Sequence, residues 1–210
     1  MPEANRMTAE NIPYIALILP AFNEEAAIAL TIRNFFDYLP NALFVVVDNA
    51  STDRTADVAT DTFHELSCRW KILSEPRKGK ANALRKAFHE IDAEYFVMVD
   101  ADSTYLGEDV SKLMAPIIAG EADLVVGNRH ADSVYSDQNH RPFHDFGNGL
   151  VRRLINRLFG TQLKDIMSGY RVMTRRFVLH FPILSEGFEI ETEMSLQAID
   201  KRFRLIEIPI

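Results

Sequence analysis

The sequence predicts an α/β fold, a mostly parallel central sheet with helices on both faces, built as one domain over residues 1–210. Three observations predict it. Short apolar runs alternate with longer stretches of helical spacing through the first half, the rhythm of a parallel sheet. Those runs are continuously apolar rather than alternating, as strands buried on both faces are. Apolar residues make up 47% of the 210 and charged residues 25%, which is ample for one sizeable core.

The elements follow in order. "YIALILP" (14–20) reads as the first strand and "EEAAIALTIRNFFDYL" (24–39) as a helix with an apolar stripe. "ALFVVVD" (42–48) is the second strand, and "STDRTADVATDTFHEL" (51–66) opens with cap-type residues into a helix. "RWKILS" (69–74), "GKANALRKAFHEI" (79–91), "EYFVMVD" (94–100), "LGEDVSKLMAPIIAG" (106–120) and "ADLVVGN" (122–128) continue strand, helix, strand, helix, strand. After Asn128 the rhythm breaks. Residues 129–148 are polar and without period, and read as a loop. "GLVRRLINRLFG" (149–160) reads as an amphipathic helix, and "DIMSGYRVMT" (165–174) as an irregular or strand segment. "FEIETEMSLQAIDKR" (188–202) reads as a helix and "RLIEIPI" (204–210) as a last strand. Trp70, Phe35 and Phe36 are expected in the core.

Composition excludes several classes. A net charge of −7 argues against a general nucleic-acid binder, which needs a basic footprint. The single cysteine, Cys68, admits no intrachain disulfide and fits a reducing compartment. No apolar run approaches the roughly 20 residues that span a bilayer. The first eleven residues hold no signal-peptide core. The expectation is a soluble, cytoplasmic chain.

In an open α/β sheet, ligands bind beyond the carboxyl ends of the strands. The unusual residues cluster there: "LPAFNEE", "VDNAS" and "VDADS" end the first, second and fourth strands. Each alone reads as a turn. Together on one sheet edge they favour a ligand site. Asp100 and Asp102, one residue apart, repel each other unless a cation lies between them. Two carboxylates suit Mg²⁺ or Mn²⁺, completed by substrate phosphates. No G-x-G-x-x-G and no G-x-x-x-x-G-K-[ST] occurs, which disfavours dinucleotide and P-loop sites. "RKGKANAL" (77–84) sets Lys78 and Lys80 about a glycine at a helix start, either to meet a ribose or phosphate or as a solvated loop. His130, His140 and His144 lack convincing zinc spacing and read as loop residues. Glu189 and Glu191, two apart on one helix, cannot share a face, so at most one turns inward.

"LPAFNEEAAI", "VVVDNASTDRT", "RKGKANAL", "VMVDADS", "VVGNR" and "DIMSGYR", in this order, resemble the inverting family-two glycosyltransferases. The branch most similar holds dolichyl-phosphate mannose synthase and polyprenyl-phosphate sugar transferases. The resemblance covers residues ~14 to 210. It implies a GT-A, Rossmann-like fold that binds a nucleotide-diphospho-sugar. Pro20, Ala21, Phe22, Glu24, Asp48, Ser51, Lys80, Asp100, Ala101 and Asp102 would bind the donor, with Asp48 at the nucleobase. Asp100 and Asp102, with Thr104 where that branch favours glutamine, would hold Mg²⁺ or Mn²⁺. Arg129 and Arg141 match arginines that bind an acceptor phosphate. Asp145 falls where that branch can carry a serine. Asp165 would lie near sugar and acceptor, as a base for a hydroxyl acceptor or as a positioner when the acceptor is already anionic. The catalytic set is thus Asp100, Asp102, Asp165, Arg129 and Arg141.

The implied reaction is metal-dependent inverting transfer of a hexose from a GDP- or UDP-sugar to a polyprenyl phosphate, peripherally at the cytoplasmic face of a membrane. The helix 149–160 would touch the lipid surface. Two alternatives stay open: a glycosyltransferase acting on a sugar hydroxyl, and a non-catalytic nucleotide-sugar-binding domain. A nucleotidyltransferase is more distant, for want of a Gly-rich activating loop. In the family a segment with a basic motif follows the strand ending in "EIPI", so a C-terminal segment is expected beyond residue 210. Which sugar, base and oligomeric state apply is not legible.

Overall fold

A computed structural model describes residues 14–129, 153 and 155–210. They form one seven-stranded sheet in the order β3-β2-β1-β4-β6-β5-β7. The strands are β1 (Ile15–Ala21), β2 (Leu43–Asp48), β3 (Arg69–Ser74), β4 (Tyr95–Met98), β5 (Leu124–Asn128), β6 (Arg171–Thr174) and β7 (Leu205–Pro209). All neighbours pair parallel except β6, which runs antiparallel to both β4 and β5.

The continuous apolar runs behave as expected of central strands. Ala16 to Leu19 of β1 and Phe44 to Val47 of β2 are wholly buried. Their side chains point alternately to the two faces, and each face is covered by helices. α1 (Ile28–Phe36), α2 (Thr55–Leu66) and α4 (Val110–Ile118) pack on one face, against Leu17, Leu19, Phe44 and Val46. α3 (Lys80–Glu90), α5 (Arg175–Leu179) and α6 (Ile190–Asp200) pack on the other, against Ile18, Val45 and Val47. Each such buried Leu, Ile, Val or Phe contributes roughly 1.5–3 kcal/mol. β3 closes one edge, and its exposed Arg69 and Lys71 keep that edge from pairing further.

Several expected boundaries shift inward. The helices expected at 24 and 51 begin at Ile28 and Thr55. Their polar leaders instead bond to each other across the sheet edge. The Asn23 amide donates to Ser51 Oγ (3.0 Å), the Thr52 amide to Asn23 Oδ1 (2.8 Å) and the Glu24 amide to Thr55 Oγ1 (2.8 Å). The segment 106–120 divides into a single 3-10 turn at Gly107–Asp109 and α4. β4 ends at Met98, two residues short of Asp100. The five-residue α5, capped by Thr174, has no counterpart in the sequence reading. Residues 155–159 are helical, within the expected 149–160. Phe35 is buried, while Trp70 and Phe36 pack partly buried against the core, Trp70 stacked on Phe63. Cys68 is half-buried against the same core.

Candidate functional site

The antiparallel β6 decides what meets at the sheet edge. Met98, the last residue of β4, pairs with Arg171, the first of β6. The residues entering β6 therefore lie beside those leaving β4, and "DIMSGYR" meets "VDADS". A Cβ on Gly169 would fall on the Asp100 carboxylate, so only glycine permits this approach.

The 100–103 turn is pinned to the start of α1. Thr31 Oγ1 donates to the Ala101 carbonyl (3.1 Å), and Ser103 Oγ donates to the Ala27 carbonyl (3.1 Å). Ser103 takes a left-handed φ of 63°. Asp102 is exposed. Its Oδ1 accepts from the Thr104 amide (3.0 Å) and the Thr104 hydroxyl. Thr104 thus orients Asp102.

Lys80 supplies a cation beside Asp100. It opens α3 and is buried, with its ammonium paired to both Asp100 and Glu191. Burial alone would lower its pKa; the charges of Asp100 and Glu191 overcome this and hold it above the ordinary lysine value. Glu191, in the first turn of α6, is buried here, whereas Glu189 stays outside and accepts from the Glu186 and Gly187 amides. Only one of the two glutamates turns inward, as their spacing requires.

A cleft of about 480 Å³ opens over this edge. Pro20, Ala21, Phe22, Glu24, Lys80, Asp100, Ala101 and Asp102, all expected at the donor, line it. Asp48 and Ser51 do not. Asp48 Oδ1 accepts the Ser51 amide (3.1 Å), and Ser51 is engaged with Asn23. Asn49, Gly79 and Phe188 line the cleft without having been singled out, and Lys78 joins them with its ammonium 4.9 Å from the centre of the Phe22 ring. Asn49 accepts the Gly79 amide (2.7 Å) and donates to the Arg77 carbonyl (2.7 Å), bracing the "RKGK" turn. Gly79, at φ 125°, packs against the Glu186 carbonyl where a Cβ would clash. The sequence signal for Asn49 was its place beside Asp48. Phe188, 80% exposed, carried none.

The cleft has an excess of negative charge. The Glu24 carboxyl is pushed up by burial and then by Asp102, Asp100 and Asp53. Lys80 faces Asp100, while Asp102 and Glu24 remain acidic neighbours. Among the described residues no group of three acidic, histidine or cysteine side chains forms a cage. Two carboxylates at the cleft, Asp102 exposed and Asp100 only partly offset by a Lys80 ammonium it shares with Glu191, suit Mg²⁺ or Mn²⁺ held largely by ligand phosphates.

Arg129 and Asp165 meet beyond β5. Asp165 is buried, and its carboxylate accepts from Arg129 Nε (2.8 Å), Nη2 (3.0 Å) and the backbone amide (3.2 Å). Burial opposes the Arg129 charge most strongly, but the hydrogen bond to Asp165 and the charges of Tyr105, Asp165 and Asp100 together overcome it and hold the pKa above the ordinary arginine value. The Nη1 amine of Arg129 bonds no other described residue. Arg141, His130, His140, His144 and Asp145 lie outside the described residues. A second cleft of about 590 Å³, lined by Lys164, Phe203 and Glu207 among others, runs along β7 and contains none of the expected donor residues.

Residues 16–180 match the family model for glycosyl transferase family 2. The chain belongs to glycosyl transferase family 2. Among curated relatives of this family-2 chain, glycosyltransferase AglJ of Haloferax volcanii is 32% identical over 197 residues, covering 93% of the chain and 61% of AglJ. The chain therefore spans about three fifths of that protein's length. The dolichyl-phosphate beta-glucosyltransferase of Saccharomyces cerevisiae is 26% identical, over 100% of the chain and 70% of the relative. The undecaprenyl-phosphate mannosyltransferase of Micrococcus luteus is 26% identical over 93% and 82%. Glucosyl-3-phosphoglycerate synthase of Mycobacterium tuberculosis, crystallised with Mn²⁺, UDP-glucose and phosphoglyceric acid, superposes with a TM-score of 0.74 at 22% identity. That match covers 94% of the chain and 69% of the synthase, and establishes the shared GT-A fold. Among the described residues no helix is long and apolar enough to cross a membrane.

Proposed function

We propose that this domain transfers a hexose, with inversion, from a nucleotide-diphospho-sugar to a polyprenyl phosphate. The observation that carries the reading is the joining, by β6, of an acidic cleft to the Arg129–Asp165 ion pair on one sheet edge. The cleft around Asp100 and Asp102 takes the donor. Phe22 and Lys78 form its aromatic and cationic wall. Asp102, oriented by Thr104, with help from Asp100 would hold a divalent ion, Mg²⁺ or Mn²⁺, which would supply positive charge to stabilise the leaving diphosphate. The Mn²⁺ in the synthase complex and the lipid phosphates in the relatives' names agree with this assignment.

An acceptor phosphate oxygen attacks the anomeric carbon. As that C–O bond forms, the bond to the diphosphate breaks, and the nucleoside diphosphate leaves with the electron pair. The acceptor is already anionic, so no base is needed. This agrees with the state of the two carboxylates that a hydroxyl acceptor would require: Asp165 is tied to Arg129, and Glu191 to Lys80. Arg129, with Arg141 from the sequence, holds the acceptor phosphate in line, and Asp165 orients Arg129. Positioning and charge stabilisation then supply most of the rate.

The test is calorimetric titration of UDP and GDP, with and without Mn²⁺, followed by transfer from the matching sugar nucleotide to undecaprenyl phosphate. Metal-dependent binding of one nucleotide, lost in Asp102→Asn, together with transfer to the lipid, is the expected result. Transfer to a sugar hydroxyl with a carboxylate limb in the pH profile, abolished in Asp165→Asn, would replace this reading. Binding with no transfer to either would make the domain a nucleotide-sugar binder.

A further inference from the structure

The donor and acceptor assignments leave "EIPI" at the end of β7 without a role, and its glutamate makes an unusual set of contacts. Glu207 accepts the Lys164 amide at both oxygens (2.9 and 2.8 Å) and the Asp165 amide at Oε1 (2.8 Å). Two successive backbone N–H groups gathered by one carboxylate make charge-assisted bonds, about twice as strong as neutral ones. They fix the chain at the residue whose side chain grips Arg129.

Other side chains hold the rest of the same loop. Arg171, wholly buried, donates to the Ile166 carbonyl (2.8 Å) and the Ser168 carbonyl (2.9 Å). The Tyr105 hydroxyl accepts the Gly169 amide (2.8 Å). Of these clamps, only that of Glu207 acts on the Asp165 backbone itself. It reaches the site from β7, the outermost strand, which pairs with β5 immediately before Arg129.

We propose that Glu207 is a positioning residue: through the amides of Lys164 and Asp165 it sets the Asp165 carboxylate, which holds Arg129 by its Nε–Nη2 edge and turns Nη1 toward the acceptor phosphate. The acceptor part rests on the function proposed above; the coupling of Glu207 to Arg129 does not. The last strand of the chain, β7, thus acts on Arg129 through the segment that carries Asp165.

The test is Glu207→Gln, whose amide oxygen still accepts and so preserves the fold. The arginine Nε–H resonances of ¹⁵N-labelled protein are the first readout, that of Arg129 being assigned by its loss in Arg129→Lys. In Glu207→Gln the Arg129 signal moves and its hydrogen exchange quickens on the order of tenfold, while that of Arg171 holds. An unchanged Arg129 signal, or equal changes in both arginines, overturns the proposal. The second readout is transfer to undecaprenyl phosphate. Glu207→Gln raises acceptor KM roughly tenfold with donor KM unchanged, and the double variant with Arg129→Lys is no worse than Arg129→Lys alone. A multiplicative loss overturns it. The resonance readout needs no turnover. A wild-type protein that transfers nothing therefore counts against the function reading, and the Arg129 signal alone then decides this one.

Discussion

Lys80 answers the electrostatic problem of two aspartates one residue apart. The ammonium neutralises Asp100 from within the fold, and Asp102 is left facing the cleft. Lys80→Met would leave Asp100 and Glu191 facing each other with no cation between them. The expected cost is about 3–5 kcal/mol in urea unfolding, and Glu191→Gln should recover part of it. Gly169 controls the same aspartate sterically. Gly169→Ala should displace the Asp100 carboxylate and lower nucleotide affinity on the order of tenfold or more, since overpacking at such a contact costs about 1–3 kcal/mol. Calorimetry on the folded variant measures this; wild-type affinity would show that the loop gives way instead.

At the scale of elements, β7 is held by more than its ladder with β5. Asp123, buried just before β5, accepts from Arg204 Nε (3.0 Å), Nη2 (3.1 Å) and the backbone amide (3.0 Å), with Arg176 nearby. The hydrogen bond from Arg204 holds the Asp123 carboxyl below the ordinary aspartate value against the effect of burial. The folded state therefore binds this proton more weakly than the unfolded state. The stabilisation is complete above the unfolded value, about 3.9, and is lost as pH falls through the lower folded value. Asp123→Asn should cost on the order of 1–3 kcal/mol at pH 7. In urea titrations the gap between wild type and variant should narrow as pH falls below the unfolded aspartate value, about 3.9, and close once it has passed the lower folded value. A gap that is constant with pH would place the effect in packing rather than charge. The elements most legible in the sequence were those with long continuous apolar runs. The helix starts were not, because Asn23, Ser51, Asp53 and Thr55 read equally as caps or as turn residues; they bond across two loops that lie 28 to 31 residues apart in sequence.

The described residues bring one acidic cleft and the Arg129–Asp165 ion pair to one edge of a single sheet. A ligand that binds only the folded chain stabilises it by mass action, by about 2.7 kcal/mol at a hundredfold excess over Kd. For a chain of this size that raises Tm by several degrees, at about 2–4 °C per kcal/mol. Mn²⁺ with the correct nucleoside diphosphate should give this shift in the wild-type protein and not in Asp102→Asn. An equal shift in both would mean that the nucleotide binds elsewhere. By itself the sequence determined the α/β class, the order of the elements, the family and most of the residues that line the acidic cleft, because local apolar runs and contiguous motifs carry that information. Only the tertiary structure decided the antiparallel insertion of β6, the pairing of Lys80 with Asp100 and Glu191, the grip of Asp165 on Arg129 and the reach of Glu207. These contacts join residues tens to more than a hundred positions apart, and nothing in local spacing specifies which strand lies beside which, or in which direction it runs.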